Sequence, residues 1–166
     1  MTNLIEQEGN LITMLENDEV DVVVHQTNCF KTLGEGVSSG IARALGDTYN
    51  EVMQADLQYT KGDINQLGQI MIVPITTKSG LKKYIVNCYS QYNYGLVNDT
   101  SPTSYLAMQT ALTTLNQEIH NSGAKGLRFA TYQLGCNRGG ADWNVVSSIL
   151  KNTLTTLDRL LIVEKK

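Results

Sequence analysis

The chain has 166 residues, the size of one ordinary domain, with 42% hydrophobic and 17% charged residues, a globular profile with light surface charge. Thirteen basic against sixteen acidic residues give a net charge of −3 and a pI of about 5.3; this excludes a general polyanion binder, because phosphate-backbone affinity comes from clustered Lys and Arg. The longest apolar stretch, Ile70–Ile75, includes Pro74 and falls far short of the roughly 20 residues of a membrane span, and the opening MTNLIEQEGN has neither the basic nor the apolar region of a secretory signal.

In chain order, Leu11–Leu15 and Asp21–Gln26 are predicted strands. The second, DVVVHQ, is a continuous β-branched run suited to a buried sheet position. A glycine-bearing segment, Thr32–Gly40, then runs into Ile41–Leu45. A polar helix is predicted over Asp47–Gln58, with Asp47 as its N-cap. Gln69–Thr76 and Lys83–Tyr89 are the next strands. From Pro102 to Ser122 the apolar positions Tyr105, Met108, Leu112, Leu115 and Ile119 step by 3, 4, 3, 4, a helical spacing. Ser101-Pro102 would start that helix with Pro at its first position, and Gly123 or Gly126 would end it. Leu127–Tyr132 is a strand, Ala141–Leu154 a helix, and Leu160–Glu164 a closing strand. Neither repeats nor a linker interrupt the pattern, so the expectation is one domain spanning residues 1–166. The alternation of β and α elements predicts a layered α/β fold with helices on both sheet faces.

Such sheets bind ligands beyond the carboxyl ends of their strands, which directs attention to the loops after Gln26, Tyr89 and Leu134. In the first, a buried strand leads to Asn28, then Gly34-Glu35-Gly36-Val37, then a helix start. Glycines there admit close backbone approach, and a helix N-terminus offers free N–H groups to an anion without any Lys or Arg. A glycine turn that merely permits a tight corner is the plainer reading. The absent third glycine of GxGxxG argues against a Rossmann dinucleotide site. In the second loop, LGCNRGGADW, a strand again ends in glycines (Gly135, Gly139, Gly140) before a helix. Two such loops suit a ligand with two phosphates. Asp142 reads as an N-cap or first-turn acid, or as a group that orients water.

The runs VDVVVHQTNCFKTLGEGVSSGIARALG, YIVNCYSQYNYG and LGCNRGGADW together resemble the macro domain (ADP-ribose-binding) family. The likeness is to its bacterial and phage branch, related to ADP-ribose 1″-phosphate phosphatases and terminal ADP-ribose hydrolases. It extends in order over residues 9–163. The resemblance implies a three-layer α/β/α sandwich around a mixed, mostly parallel sheet, with ADP-ribose in a cleft along its crest. It places Asn28 on the distal ribose, the amides of Gly34, Gly36 and Val37 on one phosphate, and Gly135, Cys136, Asn137, Arg138, Gly139 and Gly140 around the diphosphate and distal ribose. Asn87 to Gln91, with Ser90 among them, would line the cleft, with Asp142 near the second loop. Several positions depart from the family pattern, among them Asn137 and Arg138, which stand where small or apolar residues are usual. Asn10 stands where many macro domains carry an Asp that accepts from the adenine amino group. Glu35 stands where small residues are usual. Ser90-Gln91 and Gly139 stand where the terminal hydrolases have a Lys and an Asp.

Candidates for chemistry are few. Asn28 and Asp142 are the expected catalytic residues, fixing or orienting a water, with the substrate's own phosphate as an alternative activator of that water. Lys31 could reach a phosphate, and Arg138 could clamp one bidentately or simply be solvated. Cys29 could act as a nucleophile only with a depressed pKa. His25 lies in a strand pattern and reads as structural; His120 sits late on a helix. Among Tyr89, Tyr92 and Tyr94 one ring could stack on a base. Three widely spaced cysteines without a CxxC pair, and only two His, predict neither a disulfide framework nor a metal site. No cofactor is expected.

The predicted function is therefore binding of ADP-ribose or a derivative, with hydrolysis of its distal-ribose substituent. The alternatives are a non-catalytic ADP-ribose-binding module and a sequestering protein for a related signalling nucleotide. The expected partners are that small molecule and an ADP-ribosylated macromolecule, with no nucleic acid and no membrane. The expected form is a monomer, in the cytoplasm, or a host's cytoplasm if the chain is viral.

Overall fold

The structure, a computed structural model, describes residues 1–30, 45–93, 102–136 and 139–164. Six strands form one sheet: β1 (Asn3–Glu8), β2 (Val22–Asn28), β3 (Ile70–Thr76), β4 (Lys82–Gln91), β5 (Phe129–Thr131) and β6 (Arg159–Glu164). Their order is β1-β6-β5-β2-β4-β3. Every pairing is parallel except β3 with β4. The carboxyl ends of five strands therefore share one edge of the sheet, and the loops after them line a common crest.

All seven residues of β2 are buried, as expected for a central strand covered on both faces. Val22 and Val24 pack on one side, with α3 (Tyr105–Ser122) and α4 (Trp143–Thr153). Val23 packs on the other, with Leu11, Met14 and Leu15 of α1 (Leu11–Glu16) and Val52 of α2 (Asn50–Asp56). The result is three layers, α/β/α. Between Thr27 and Asn28 the β2–β4 register shifts, so that Thr27 faces Tyr89 but Asn28 faces Gln91. A bulge of this kind re-aims the side chains at a strand end.

Helix α3 forms where the 3,4 spacing predicts it. Ala107, Met108, Ala111, Leu112, Leu115 and Ile119 make its buried face. It starts three residues later than the sequence suggests. Ser104 is the N-cap, its hydroxyl accepting from Ala107 N at 3.1 Å, while Pro102 lies ahead of the helix. Gly123 ends it at φ 71°, the left-handed conformation glycine accommodates best. Asp142 caps α4 by accepting from Asn144 N at 2.9 Å, and Trp143 packs part-buried against the core as a helix anchor.

Two further expectations are corrected, and one strand is added. Leu11–Leu15 is not a strand but the body of α1, capped by Asn10. Its inward residues Leu11, Met14 and Leu15 follow an i, i+3, i+4 pattern, which so short a run of mostly apolar residues conceals. Asp47 is not an N-cap; residues 45–48 are already helical, and Tyr49 precedes the helix of α2. Strand β1 is an addition. It is an edge strand with one part-buried residue, Leu4, and so has no apolar alternation to reveal it.

At the amino ends of the strands a charged clamp ties the sheet together. The nearly buried Lys83 ammonium lies 2.6 Å from Asp18 and 2.9 Å from Asp21. Arg128 reaches the same two carboxylates at 2.6 and 2.9 Å. These contacts hold the Asp21 carboxyl far below its ordinary range, chiefly through the Arg128 hydrogen bond. Among the described residues no helix is long and apolar enough to cross a membrane.

Candidate functional site

The crest brings together Asn10 after β1, Asn28 at the end of β2, Gln91 at the end of β4, and the second glycine loop after β5. Lys31, Gly34, Gly36, Val37, Asn137 and Arg138 lie outside the described residues, as do Glu35 and Tyr94.

The second loop is built as a main-chain corner. Gly135 has φ 74° and Gly140 φ 68°, values that favour glycine. The Gly135 carbonyl accepts from Ala141 N at 3.0 Å, and the Gly139 carbonyl accepts from Thr103 N at 3.1 Å. A Cβ on Gly139 would lie 2.4 Å from both the Gly135 oxygen and Thr103 Oγ1. Glycine at 139 is therefore a packing requirement, in addition to the conformational freedom needed at 135.

Beneath the corner lies a buried polar network. Ser90 Oγ donates to Gln26 Oε1 at 2.7 Å. Gln26 Nε2 donates to Gln91 Oε1 at 2.9 Å and to Thr103 Oγ1 at 3.0 Å. Thr103 Oγ1 in turn donates to the Gly135 carbonyl at 3.3 Å. Gln91 Nε2 donates to the Asn93 carbonyl at 2.5 Å. The side chains of Ser90 and Gln91 are thus turned into the fold. Sequence reading passed over Gln26 and Thr103. The available signal was a Gln inside a strand otherwise read as buried, since a buried amide must find partners.

The remaining crest residues also have structural engagements. Asn28 is 1% exposed, and its Oδ1 accepts from Phe30 N at 2.8 Å. Asn10 Oδ1 carries Thr13 N at 3.1 Å, leaving the second lone pair of that oxygen and the amide nitrogen for other partners. Close by, the Tyr132 hydroxyl accepts from Leu11 N at 3.2 Å. Asp142 is exposed, with one carboxylate oxygen on Asn144 N and its own main-chain N–H on the Tyr105 hydroxyl at 3.0 Å.

The cysteines are held as thiols. Burial, reinforced by the charges of Asp56 and Asp63, pushes Cys29 up to about 12. Burial and then the Asp142 charge push Cys136 up to about 11. A nucleophilic role for Cys29 loses its physical basis, because the thiolate is the reactive form. His25 is also withdrawn. It is 1% exposed, its Nε2 lies 2.6 Å from Asn87 Oδ1, and burial pulls its pKa down to about 4. Tyr89 is fully buried, its hydroxyl donating to Asp56 at 2.7 Å, so its ring is no cleft platform. Tyr92 stacks edge-on against Phe30 at 5.0 Å and donates to the Gly62 carbonyl at 2.7 Å.

Among the described residues no group of His, Cys, Asp or Glu could hold a metal ion. An apolar cavity of about 430 Å³ lies near the opposite end of the sheet, where Leu115 and Ile119 of α3 meet Val22, Val86 and Phe129. None of the candidate site residues lines it.

No family model matches the chain. It is 25% identical over 141 residues, 84% of each chain, to an uncharacterized 17.5 kDa protein from the tk-vs intergenic region of Enterobacteria phage T4. Its structure is similar to the macrodomain of Thermus aquaticus DarG, with a TM-score of 0.72 and 19% identity over 99% of each chain. It is also similar to Thermosipho africanus DarTG in complex with ADP-ribose, with a TM-score of 0.68, 14% identity, and coverage of 99% of this chain and 42% of that one. At these identities the structural likeness is one of fold: the chain has the macrodomain fold.

Proposed function

We propose that the chain binds ADP-ribose, or a close derivative, along the carboxyl edge of its sheet. The observation that carries this reading is the Gly135–Gly139–Gly140 corner, set at that edge and held from below by buried hydrogen bonds. Main-chain amides at such a corner can take a phosphate with no cationic side chain, which fits a chain with net charge −3. The fold adds support, since Thermosipho africanus DarTG, 42% of whose chain matches this fold, is known in complex with ADP-ribose. Gly34, Gly36 and Val37 are the expected second set of amides. An ADP-ribosylated macromolecule presenting the same group is the corresponding larger partner.

Hydrolysis of the distal-ribose substituent is the second reading, favoured by one observation. The Asp142 carboxylate is exposed beside the second loop and accepts from Asn144 N as the cap of α4, so it keeps acceptor capacity for a water. Buried Asn28 would then serve to fix geometry rather than to move a proton.

Calorimetric titration with ADP-ribose, run beside a phosphate-release assay on ADP-ribose 1″-phosphate, tests both. Saturable heat is the expected result. Phosphate release above background adds the hydrolytic step, and saturable binding without it leaves a binding module. No heat at millimolar ligand contradicts the proposal.

A further inference from the structure

We infer that Gln26 and Thr103 are positioning residues whose hydrogen bonds set the second glycine corner in its ligand-receiving place; the inference rests on the ADP-ribose reading above. Position 26 belongs to a strand whose seven residues are all buried. An apolar side chain would satisfy such a position, and a buried amide is costly there unless fully bonded. The Gln26 amide is bonded through both its oxygen and its nitrogen, to two other segments: Ser90 and Gln91 at the end of β4, and Thr103 ahead of α3.

Ser90 donates to Gln26 and Gln26 donates to Thr103, whose hydroxyl has two acceptors in reach, the Gly135 carbonyl at 3.3 Å and Gln26 Oε1 at 3.4 Å. Thr103 acts twice on the loop, since its main-chain N–H also donates to the Gly139 carbonyl. An added Cβ on Gly135 would lie 2.9 Å from both Gln26 Oε1 and Thr103 Oγ1, and one on Gly139 would lie 2.7 Å from Gln26 Nε2. The corner thus sits directly on these two side chains. Its carbonyls point down onto them, and its height above the β2–β4 edge is set by hydrogen-bond lengths rather than by loose packing. Positioning of this kind governs affinity because a donor displaced by a fraction of an ångström loses most of its bond.

The test compares Thr103→Val with Thr103→Ser. Valine keeps the shape and removes the hydroxyl; serine keeps the hydroxyl. Amide hydrogen exchange is followed at Ala141 and Cys136 in the loop and at Val23 and Val24 in the core, together with the ADP-ribose Kd. Thr103→Val is expected to speed exchange at Ala141 and to raise Kd, each roughly tenfold or more, as loss of one buried hydrogen bond implies. Core exchange stays as in the wild type, and Thr103→Ser restores both loop protection and affinity. If Thr103→Val fails to fold, Gln26→Met is read in the same way, with the same expectation. Unchanged loop exchange and affinity would overturn the inference, as would equal acceleration in loop and core, which marks a purely structural role. Absence of ADP-ribose binding by the wild-type protein would refute the ligand reading alone, and the exchange comparison would still decide whether Thr103 fixes the corner.

Discussion

The Tyr89 hydroxyl donates to the Asp56 carboxylate at 2.7 Å, with Tyr89 fully buried and Asp56 1% exposed. On the other side of the same hydroxyl, Asn87 Nδ2 lies 3.5 Å away and His25 Nε2 lies 2.6 Å from Asn87 Oδ1. This line of polar groups joins α2 to the middle of the sheet. Burial, then the Asp56 charge, drives the Tyr89 phenol far above its ordinary range. Tyr89 therefore acts as a fixed donor at every pH the fold survives. Tyr89→Phe should lower stability by about 2 kcal/mol, the range for a hydrogen bond to a buried charged group. Urea unfolding would show a lower midpoint with an unchanged slope.

His25 makes stability depend on pH in a defined window. Its folded pKa is pulled from 6.5 to about 4 by burial, so the unfolded chain binds the proton more readily. The neutral form's contribution is complete above pH 6.5 and is lost as pH falls from there toward 4. The loss over that window is about 3 kcal/mol. His25→Gln should flatten the stability profile between those limits. The Asp21 contribution lies lower: its depressed carboxyl stabilises the fold above its unfolded value of 3.8 and gives this up as pH falls further. Chemical denaturation at a series of pH values separates the two.

Gly139→Ala should damage the site more than the fold. The added methyl would meet the Gly135 carbonyl oxygen at 2.4 Å, and a backbone atom cannot give way as a flexible side chain does. Overpacking of this kind costs about 1–3 kcal/mol. The corner must shift to relieve it, so ADP-ribose affinity should fall roughly tenfold or more.

Asp142 can be divided into its two roles. Asp142→Asn keeps a good N-cap, whereas Asp142→Ala should cost about 1 kcal/mol. Under the hydrolytic reading both variants lose turnover, but only the alanine variant loses stability. Thermal melts alongside the phosphate-release assay distinguish them.

The sequence carries the central architecture because its strongest signals are buried. The β-branched run of β2 and the 3,4 stripe of α3 are imposed by faces that must be covered. Edge strand β1 gives no such signal, and α1 is hidden because four apolar residues within five positions fit either a strand or a helix. Asn10 shows the same ambiguity at the site. Its Asx side chain suits a ligand contact, and in the structure it also caps α1. The glycines of the second loop were legible through their spacing. The pedestal beneath them was not, because Gln26, Ser90 and Thr103 are brought together across 77 residues of chain.

The central claim is that main-chain amides at the glycine corner, rather than cationic side chains, hold the diphosphate. A crystal structure with ADP-ribose bound tests it most directly. The account predicts diphosphate oxygens within about 3 Å of loop amides between Gly135 and Gly140. A diphosphate held by Lys or Arg side chains, or a ligand seated in the apolar cavity under α3, would contradict it.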